Sequence, residues 1–110
     1  MKLSDIQQEV AVFVTANRLE TTVPARVLDL VSEVGEVGKE VLKGSDYGHA
    51  PFEPTGEWAS ELGDVLFSLI CIANATGVDL AEALQTVLAK YEERIAHKGE
   101  AGSGGNMGNY

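Results

Sequence analysis

Apolar residues recur at helical spacing along most of the chain, and they do not alternate as they would in half-buried strands. Four segments follow this pattern, at about residues 4–18, 24–43, 57–76 and 79–97. Only three prolines occur in the chain, so few positions oppose helix formation. The pattern predicts an all-α domain, a bundle of four main helices that spans residues 1–98.

Capping signals support these helix boundaries. Ser4 with Gln7, and Asp79 with Glu82, have the spacing of a capping box. Pro24 suits the first turn of the second helix, because N–H groups in a first turn have no acceptor within the helix and proline lacks this group. A glycine that follows the second helix, and another that follows the third, can end each of them in turn. The predicted helices therefore have ends that local chemistry favours.

The apolar surface of the predicted helices is larger than a small bundle needs. The second helix carries Val27, Leu30, Val31, Val34, Val41 and Leu42. The third has a main stripe of Leu62, Val65, Leu66 and Leu69, and the fourth is expected to bury Leu80, Leu84, Val87, Leu88 and Tyr91. Phe67 and Cys71 lie outside the main stripe of the third helix, so residues 65–73 are apolar nearly all round. Such a helix is buried on every side, and we expect a homodimer or homotetramer.

Two segments lack a helical pattern. Residues 45–56 form the longest connection and contain two prolines and two glycines, and a long loop in a small domain is often functional. We regard it as a candidate lid. Residues 99–110 contain five glycines and few apolar side chains, so we expect a flexible C-terminal tail.

The charge balance restricts the class of partner. The net charge is −9, with 8 Lys and Arg against 17 Asp and Glu. This balance argues against binding to a nucleic-acid backbone, which needs clustered cations. Cys71 is the only cysteine, which excludes an intrachain disulfide and fits a cytoplasmic protein. The N-terminal residues do not form a signal peptide, and the apolar run 65–73 is too short to span a bilayer, so we expect no membrane partner.

Two short acidic motifs stand out within the second and third helices. The first is Glu33-Val-Gly-Glu36 and the second is Glu61-Leu-Gly-Asp64. Carboxylates three residues apart lie on one face of a helix, so antiparallel packing can bring all four together. Oxygen ligands without His or Cys suit a hard cation, Mg²⁺ or Mn²⁺. The alternative is a solvated acidic face, but carboxylates beside a buried surface need a partner and few cationic side chains are available.

The two motifs in their context resemble the MazG-like all-α nucleotide pyrophosphohydrolases. Glu-x-x-Glu, an interval of residues 37–60, and Glu-x-x-Asp on the next helix match the pattern of that family. The similarity extends through residues 77–84 and 90–94, and it covers about residues 25–98. Ser32 departs from the family, because many members have a second Glu there, so the number of metal ions stays open.

The resemblance implies a reaction and a set of site residues. The expected enzyme converts a nucleoside triphosphate, either NTP or dNTP, to the monophosphate and pyrophosphate with Mg²⁺, for which Mn²⁺ can substitute. The implied metal ligands and catalytic residues are Glu33, Glu36, Glu61 and Asp64. Three further side chains are candidate substrate contacts: Lys90, Arg94 and Asn74. Glu40 is expected at the surface or in a supporting position.

Two alternatives remain at this point. One is phosphoribosyl-ATP pyrophosphohydrolase, a relative that shares the acidic helix pair. The other is a non-catalytic helical interaction module, in which the four acids are only a solvated surface.

Overall fold

The computed structural model describes residues 1–98 of the chain. Within them lie α1 (Leu3–Ala16), α2 (Val23–Gly44), α3 (Trp58–Ala75) and α4 (Leu80–Lys98). No strand occurs in this part of the chain, so the predicted all-α class is confirmed. Each helix begins and ends within two residues of its predicted position. The predicted flexible tail, residues 99–110, lies outside the described residues.

The chain divides into two compact units. The first comprises residues 1–78 and contains α1, α2 and α3, whereas the second begins at Asp79 and contains α4. In the first unit α2 packs most extensively against α3, and α1 also packs against α3. The third helix is therefore the central helix of this unit, as expected of the most apolar segment in the chain.

Contacts along α2 and α3 show that the two helices run antiparallel. Arg26, near the start of α2, lines one cavity together with Cys71, near the end of α3. At the opposite end, Glu40 of α2 accepts a hydrogen bond from Thr55, which lies just before α3 begins. The loop of residues 45–57 makes this reversal, so the acidic motifs in the middle of each helix meet.

A pair of amide side chains joins α1 to α3. Gln7 is buried, and its Nε2 donates to Asn74 Oδ1 at 3.1 Å and to the Val78 carbonyl at 2.9 Å. Asn74 Nδ2 in turn donates to the Gln7 carbonyl at 3.0 Å. These bonds satisfy polar groups that would otherwise be costly to bury. An edge-to-face contact of Phe13 with Phe67, with ring centroids 6.3 Å apart, joins the same two helices.

The helix starts agree with the sequence prediction at Pro24 and at Asp79 and differ from it at Ser4. Thr22 Oγ1 accepts from the Ala25 N–H at 3.2 Å, just before α2, and Pro24 lies in the first turn as predicted. Asp79 Oδ1 accepts from the Glu82 N–H at 3.0 Å, which confirms the predicted cap of α4. The predicted box of Ser4 with Gln7 is wrong. The first helix begins at Leu3, because the Asp5 carboxylate accepts from the Lys2 N–H at 2.9 Å and fixes an earlier start.

The predicted apolar stripes are largely exposed in the single chain. The buried apolar residues of the described chain are Ile70, Cys71 and Ala73, which confirms Cys71 as a core thiol. The exposed fraction is 64% for Val31 and 46% for Leu62, although both belong to predicted stripes. Leu84, Leu88 and Tyr91 of α4 are exposed too, so their predicted burial is wrong for the single chain. Because α3 is apolar nearly all round, periodicity could not select the face that packs.

The third helix also meets a simple criterion for a membrane span. By length and composition alone, Trp58–Ala75 is long and apolar enough to cross a bilayer. The core helix of a soluble protein meets the same criterion. Here α3 is the central helix of the first unit and carries Glu61 and Asp64, and 22% of the segment is buried in the single chain.

Candidate metal centre

Three carboxylates converge where the middle of α2 meets the first half of α3. Glu33 comes from α2, and Glu61 and Asp64 come from α3. One oxygen of each lies within 4.8 Å of the other two. Glu33 and Glu61 are half-buried and Asp64 is exposed, so the group is open to solvent on one side. The antiparallel packing of two i, i+3 motifs produces this arrangement.

Glu36 lies beside this group of three without belonging to it. It is one turn beyond Glu33 on α2 and is exposed. Its negative charge nevertheless raises the pKa of both Glu33 and Glu61, so it is close enough to act on them electrostatically. Of the four predicted ligands, the structure thus brings three into one group and leaves the fourth at its edge.

Burial and neighbouring negative charges raise the pKa of two members of the group. Partial burial raises the pKa of Glu33, and the charges of Asp64 and Glu36 raise it further. A hydrogen bond between the Glu33 and Asp64 side chains acts in the same direction. Burial also raises the pKa of Glu61, followed by the charges of Asp64, Glu36 and Glu33. Each of these carboxylates therefore resists ionisation, because its neighbours are acids rather than bases.

The donor set fits a hard divalent cation. All the available ligand atoms are carboxylate oxygens, which suit Mg²⁺ and Mn²⁺ better than softer metals. Three carboxylates fill only part of an octahedral shell, so positions remain for water and for substrate oxygens. A cation placed here would also neutralise the repulsion that raises the pKa of Glu33 and Glu61.

Asn74, a predicted substrate contact, has its amide group occupied. Both its oxygen and its nitrogen bond to Gln7, so in this structure its side chain joins α1 to α3. Asn74 also lines a cavity of about 200 Å³, together with Ala11, Val14, Thr15, Glu20, Thr21, Arg26, Cys71 and Ala75. The amide pair was not foreseen from sequence, since its members are 67 positions apart.

Lys90 and Arg94 lie on α4, in the second compact unit. Lys90 Nζ is 5.6 Å and Arg94 Cζ is 5.9 Å from the centroid of the Tyr91 ring. The two cations therefore flank one aromatic side chain on a single helix, an arrangement that restrains long side chains. Their contact with a substrate stays a prediction.

Glu40 was expected either at the surface or in a supporting position. It is only 3% exposed, which excludes the surface position and agrees with the supporting one. Thr55 donates to its Oε1, and Lys43 Nζ lies 3.5 Å from its Oε2. The Thr55 hydrogen bond lowers the pKa of Glu40, and the Lys43 charge adds to this effect against the opposing influence of burial. No sequence signal identified Thr55 as its partner.

Comparison with known proteins agrees with this geometry. The sequence profile of the MazG nucleotide pyrophosphohydrolase domain matches residues 21–98, which include α2, α3 and α4 and all four acids of the two motifs. The chain belongs to the MazG nucleotide pyrophosphohydrolase family, and it is an enzyme of that class.

Similar proteins come from Bacillus. The uncharacterized protein YpjD of Bacillus subtilis (strain 168) is 35% identical over 96 residues, covering 84% of this chain and 85% of that protein. The crystal structure of the Bacillus-conserved MazG protein, a nucleotide pyrophosphohydrolase, has a TM-score of 0.70 at 32% identity and covers 83% of this chain and 89% of its own. A structure of YPJD from Bacillus subtilis, described as a candidate pyrophosphatase, has a TM-score of 0.70 at 33% identity, with 83% and 95% coverage.

The raised pKa of Glu33 predicts a pH-dependent effect of Glu33→Gln on the metal-free protein. A carboxyl with a raised folded pKa contributes stability below its unfolded pKa, near 4.5, and this stability is lost as pH rises through the folded pKa. Glutamine has a similar size and cannot ionise. We expect wild type and Glu33→Gln to melt at similar temperatures below pH 4.5, and the variant to melt a few degrees higher at pH 7, both in chelator.

Glu9→Gln is the matched control, because it removes one exposed acid of α1 outside the cluster. Thermal melting followed by circular dichroism across this pH range provides the comparison. An equal gain from Glu9→Gln would attribute the effect to overall net charge and contradict a local repulsion among the clustered acids.

Proposed function

We propose that this chain is a metal-dependent nucleoside triphosphate pyrophosphohydrolase that releases pyrophosphate and leaves the nucleoside monophosphate. The substrate is an NTP or a dNTP, and the cation is Mg²⁺, with Mn²⁺ as a substitute. The observation that supports this proposal most strongly is the convergence of Glu33, Glu61 and Asp64 at the α2–α3 packing. The single buried thiol, Cys71, is consistent with a cytoplasmic location.

The carboxylates divide naturally into two roles. Glu33, Glu61 and Asp64 are close enough together to hold one cation, whereas Glu36 is exposed at the edge of the group. When bound, the cation offsets the charge of the polyphosphate and polarises the scissile phosphate. Glu36 would orient a water molecule for attack on the α-phosphorus and accept its proton as the α–β anhydride bond breaks. The products are the monophosphate and pyrophosphate.

The cavity of the first unit supports a nucleoside substrate. The cavity lies between the same two helices as the cluster. On α2, Arg26 of the cavity lies seven residues before Glu33, and on α3, Cys71 of the cavity lies seven residues after Asp64. Seven helical residues correspond to a separation of about 10 Å. In a nucleotide the sugar separates the base from the phosphates, so the base can enter the cavity while the phosphates lie at the cluster. An engineered cavity of about 150 Å³ holds benzene. The volume here is larger, about 200 Å³, and Glu20, Thr21 and Arg26 line it as polar groups that a base could contact.

Two further features belong to the proposal. Lys90 and Arg94 are the cations of α4 that we expect to contact substrate phosphates.

The exposed apolar side chains of α2 and α3 provide a surface for a second copy, in a homodimer or homotetramer. Val31 is 64% and Val34 is 53% exposed on one helix, and a Cβ at Gly35 would meet nothing within 4 Å, so a partner helix has room to approach.

Charge-neutral replacements test the site. Glu36→Gln and Asp64→Asn should each reduce pyrophosphate release by at least about a hundredfold, because the first removes the proton acceptor and the second a charged ligand. Both are close in size to the native side chains, so the helical circular dichroism should be retained. The assay is pyrophosphate release in Mg²⁺ from the common NTPs and dNTPs, with phosphoribosyl-ATP included and Glu9→Gln as control.

The results separate the competing functions. Turnover of phosphoribosyl-ATP in preference to every nucleoside triphosphate would support the related enzyme instead. Near-normal turnover by both site variants would contradict the assignment of the acids. A wild-type protein that releases no pyrophosphate from any of these substrates would support the non-catalytic interaction module.

Filling the cavity tests the proposed base site separately. Ala75 lines the cavity at the end of α3, and Ala75→Leu would occupy part of its volume. We expect KM for the preferred nucleotide to rise about tenfold, since one or more added methylene groups change pocket binding by this order, while kcat stays within twofold. Ala59→Leu, at an exposed position of α3 that does not line the cavity, is the control. An unchanged KM in Ala75→Leu would exclude this cavity as the base site.

A further inference from the structure

The end of α2 contains a buried carboxylate that the proposed reaction does not use. Glu40 lies one turn beyond Glu36 and is 3% exposed. Burying a charged group is costly unless hydrogen bonds or an opposite charge compensate it. Both oxygens of Glu40 have such partners: Thr55 Oγ1 donates to one, and Lys43 Nζ lies 3.5 Å from the other. The carboxylate is therefore committed to the loop that connects α2 to α3.

Thr55 also forms a hydrogen bond with the backbone at the start of α3. Its Oγ1 donates to Glu40 and accepts from the Glu57 N–H at 3.2 Å. The Glu57 carbonyl in turn accepts from the Glu61 N–H at 3.0 Å, which is the first backbone bond of α3. The side chain of Glu57 makes no capping bond of its own. The Thr55 hydroxyl thus joins the last turns of α2 to the turn that carries Glu61.

Backbone and aromatic contacts also hold the loop between α2 and α3 against the ends of both helices. The Glu53 N–H donates to the Gly44 carbonyl at 3.0 Å. A Cβ at Gly44 would lie 2.7 Å from the Phe52 ring, so only glycine lets this ring rest against the end of α2. Phe52 also contacts Trp58, the first residue of α3, with ring centroids 5.1 Å apart. Both ends of the loop are therefore anchored near the candidate metal centre.

We propose that Glu40 and Thr55 are positioning residues, a clamp that holds the first turn of α3 and with it Glu61 in the geometry that binds the divalent cation. This inference rests on the proposed metal-dependent function. Groups that orient metal ligands without touching the metal change affinity by about 10–100-fold when they are removed. We assign Glu40 no contact with the metal, because it lies outside the group of three carboxylates and its two oxygens face the Thr55 hydroxyl and the Lys43 ammonium group.

Three variants at Thr55 isolate the hydroxyl. Thr55→Val has nearly the same shape but cannot form either hydrogen bond, Thr55→Ala removes the hydroxyl without branching at Cβ, and Thr55→Ser retains the hydroxyl. Direct titration with Mn²⁺, read by the paramagnetic resonance of the free ion, should give a Kd about tenfold higher or more for the valine and alanine variants. The Kd of the serine variant for Mn²⁺ should lie within about threefold of the wild-type value, a small change beside the roughly 10–100-fold effect of removing a supporting group.

Trp58 provides a second readout that does not depend on metal or turnover. It is the only tryptophan in the chain and lies at the start of α3 against Phe52. Loosening the clamp should shift its fluorescence emission and increase quenching by acrylamide in Thr55→Val, and Thr55→Ser should restore the wild-type values. Activity at saturating Mn²⁺ should stay within twofold of wild type, since the clamp affects the assembly of the site rather than the chemical step.

Glu40→Gln separates positioning from direct ligation. Glutamine keeps an oxygen that can accept from Thr55, so its Mn²⁺ affinity should fall less than that of Thr55→Val. A larger loss in Glu40→Gln, with Thr55→Val unchanged, would make Glu40 a metal ligand and overturn the proposal. Wild-type Kd values in both hydroxyl-free variants would also overturn it. A wild-type protein that does not bind Mn²⁺ would instead contradict the proposed function on which the clamp rests.

Discussion

Repulsion among acidic side chains at the α2–α3 packing is the constraint on which the rest of this structure depends. Glu33, Glu61 and Asp64 place oxygens within 4.8 Å of one another, and burial raises the pKa of the first two before their neighbours raise it further. A fold gains nothing from this arrangement by itself, because like charges beside a desolvated surface oppose folding. A cation bound among these oxygens would offset the repulsion, in agreement with the metal-dependent function proposed above.

The two antiparallel helices arrange three features in order along one line. The cavity next to Arg26 and Cys71 lies at one end, the carboxylates lie in the middle, and the Glu40–Thr55 clamp lies at the other end. A nucleotide has the same linear character, with a base, a sugar and a polyphosphate. We therefore favour a substrate that lies along the helices, with its base in the cavity and its phosphates at the acids.

The sequence predicted local features better than the pairings between distant residues. The two acidic motifs, Glu33–Glu36 and Glu61–Asp64, were sufficient to predict that acids of α2 and α3 would meet, although Glu36 lies outside the group of three. The burial of Glu40 could not be predicted from helical periodicity, since it depends on a hydrogen bond from the Thr55 hydroxyl, 15 positions along the chain. The bonds of Gln7 with Asn74 could not be predicted, because they arise only when α1 packs on α3. The sequence also could not predict which face of α3 packs, because the hydrophobic periodicity of a helix that is apolar on every side does not distinguish one face from another.

Thermal melting of the wild-type protein in three solutions tests the central claim most directly: chelator, Mg²⁺ or Mn²⁺, and NaCl at matched ionic strength. A cation that binds only the assembled site stabilises the fold by mass action, by about 2.7 kcal/mol at a hundredfold excess over its dissociation constant. We therefore expect the divalent cations to raise Tm well above the value in NaCl, which screens the acids without being bound among them. Equal melting temperatures in the divalent salt and in NaCl would show that Glu33, Glu61 and Asp64 do not form a metal site.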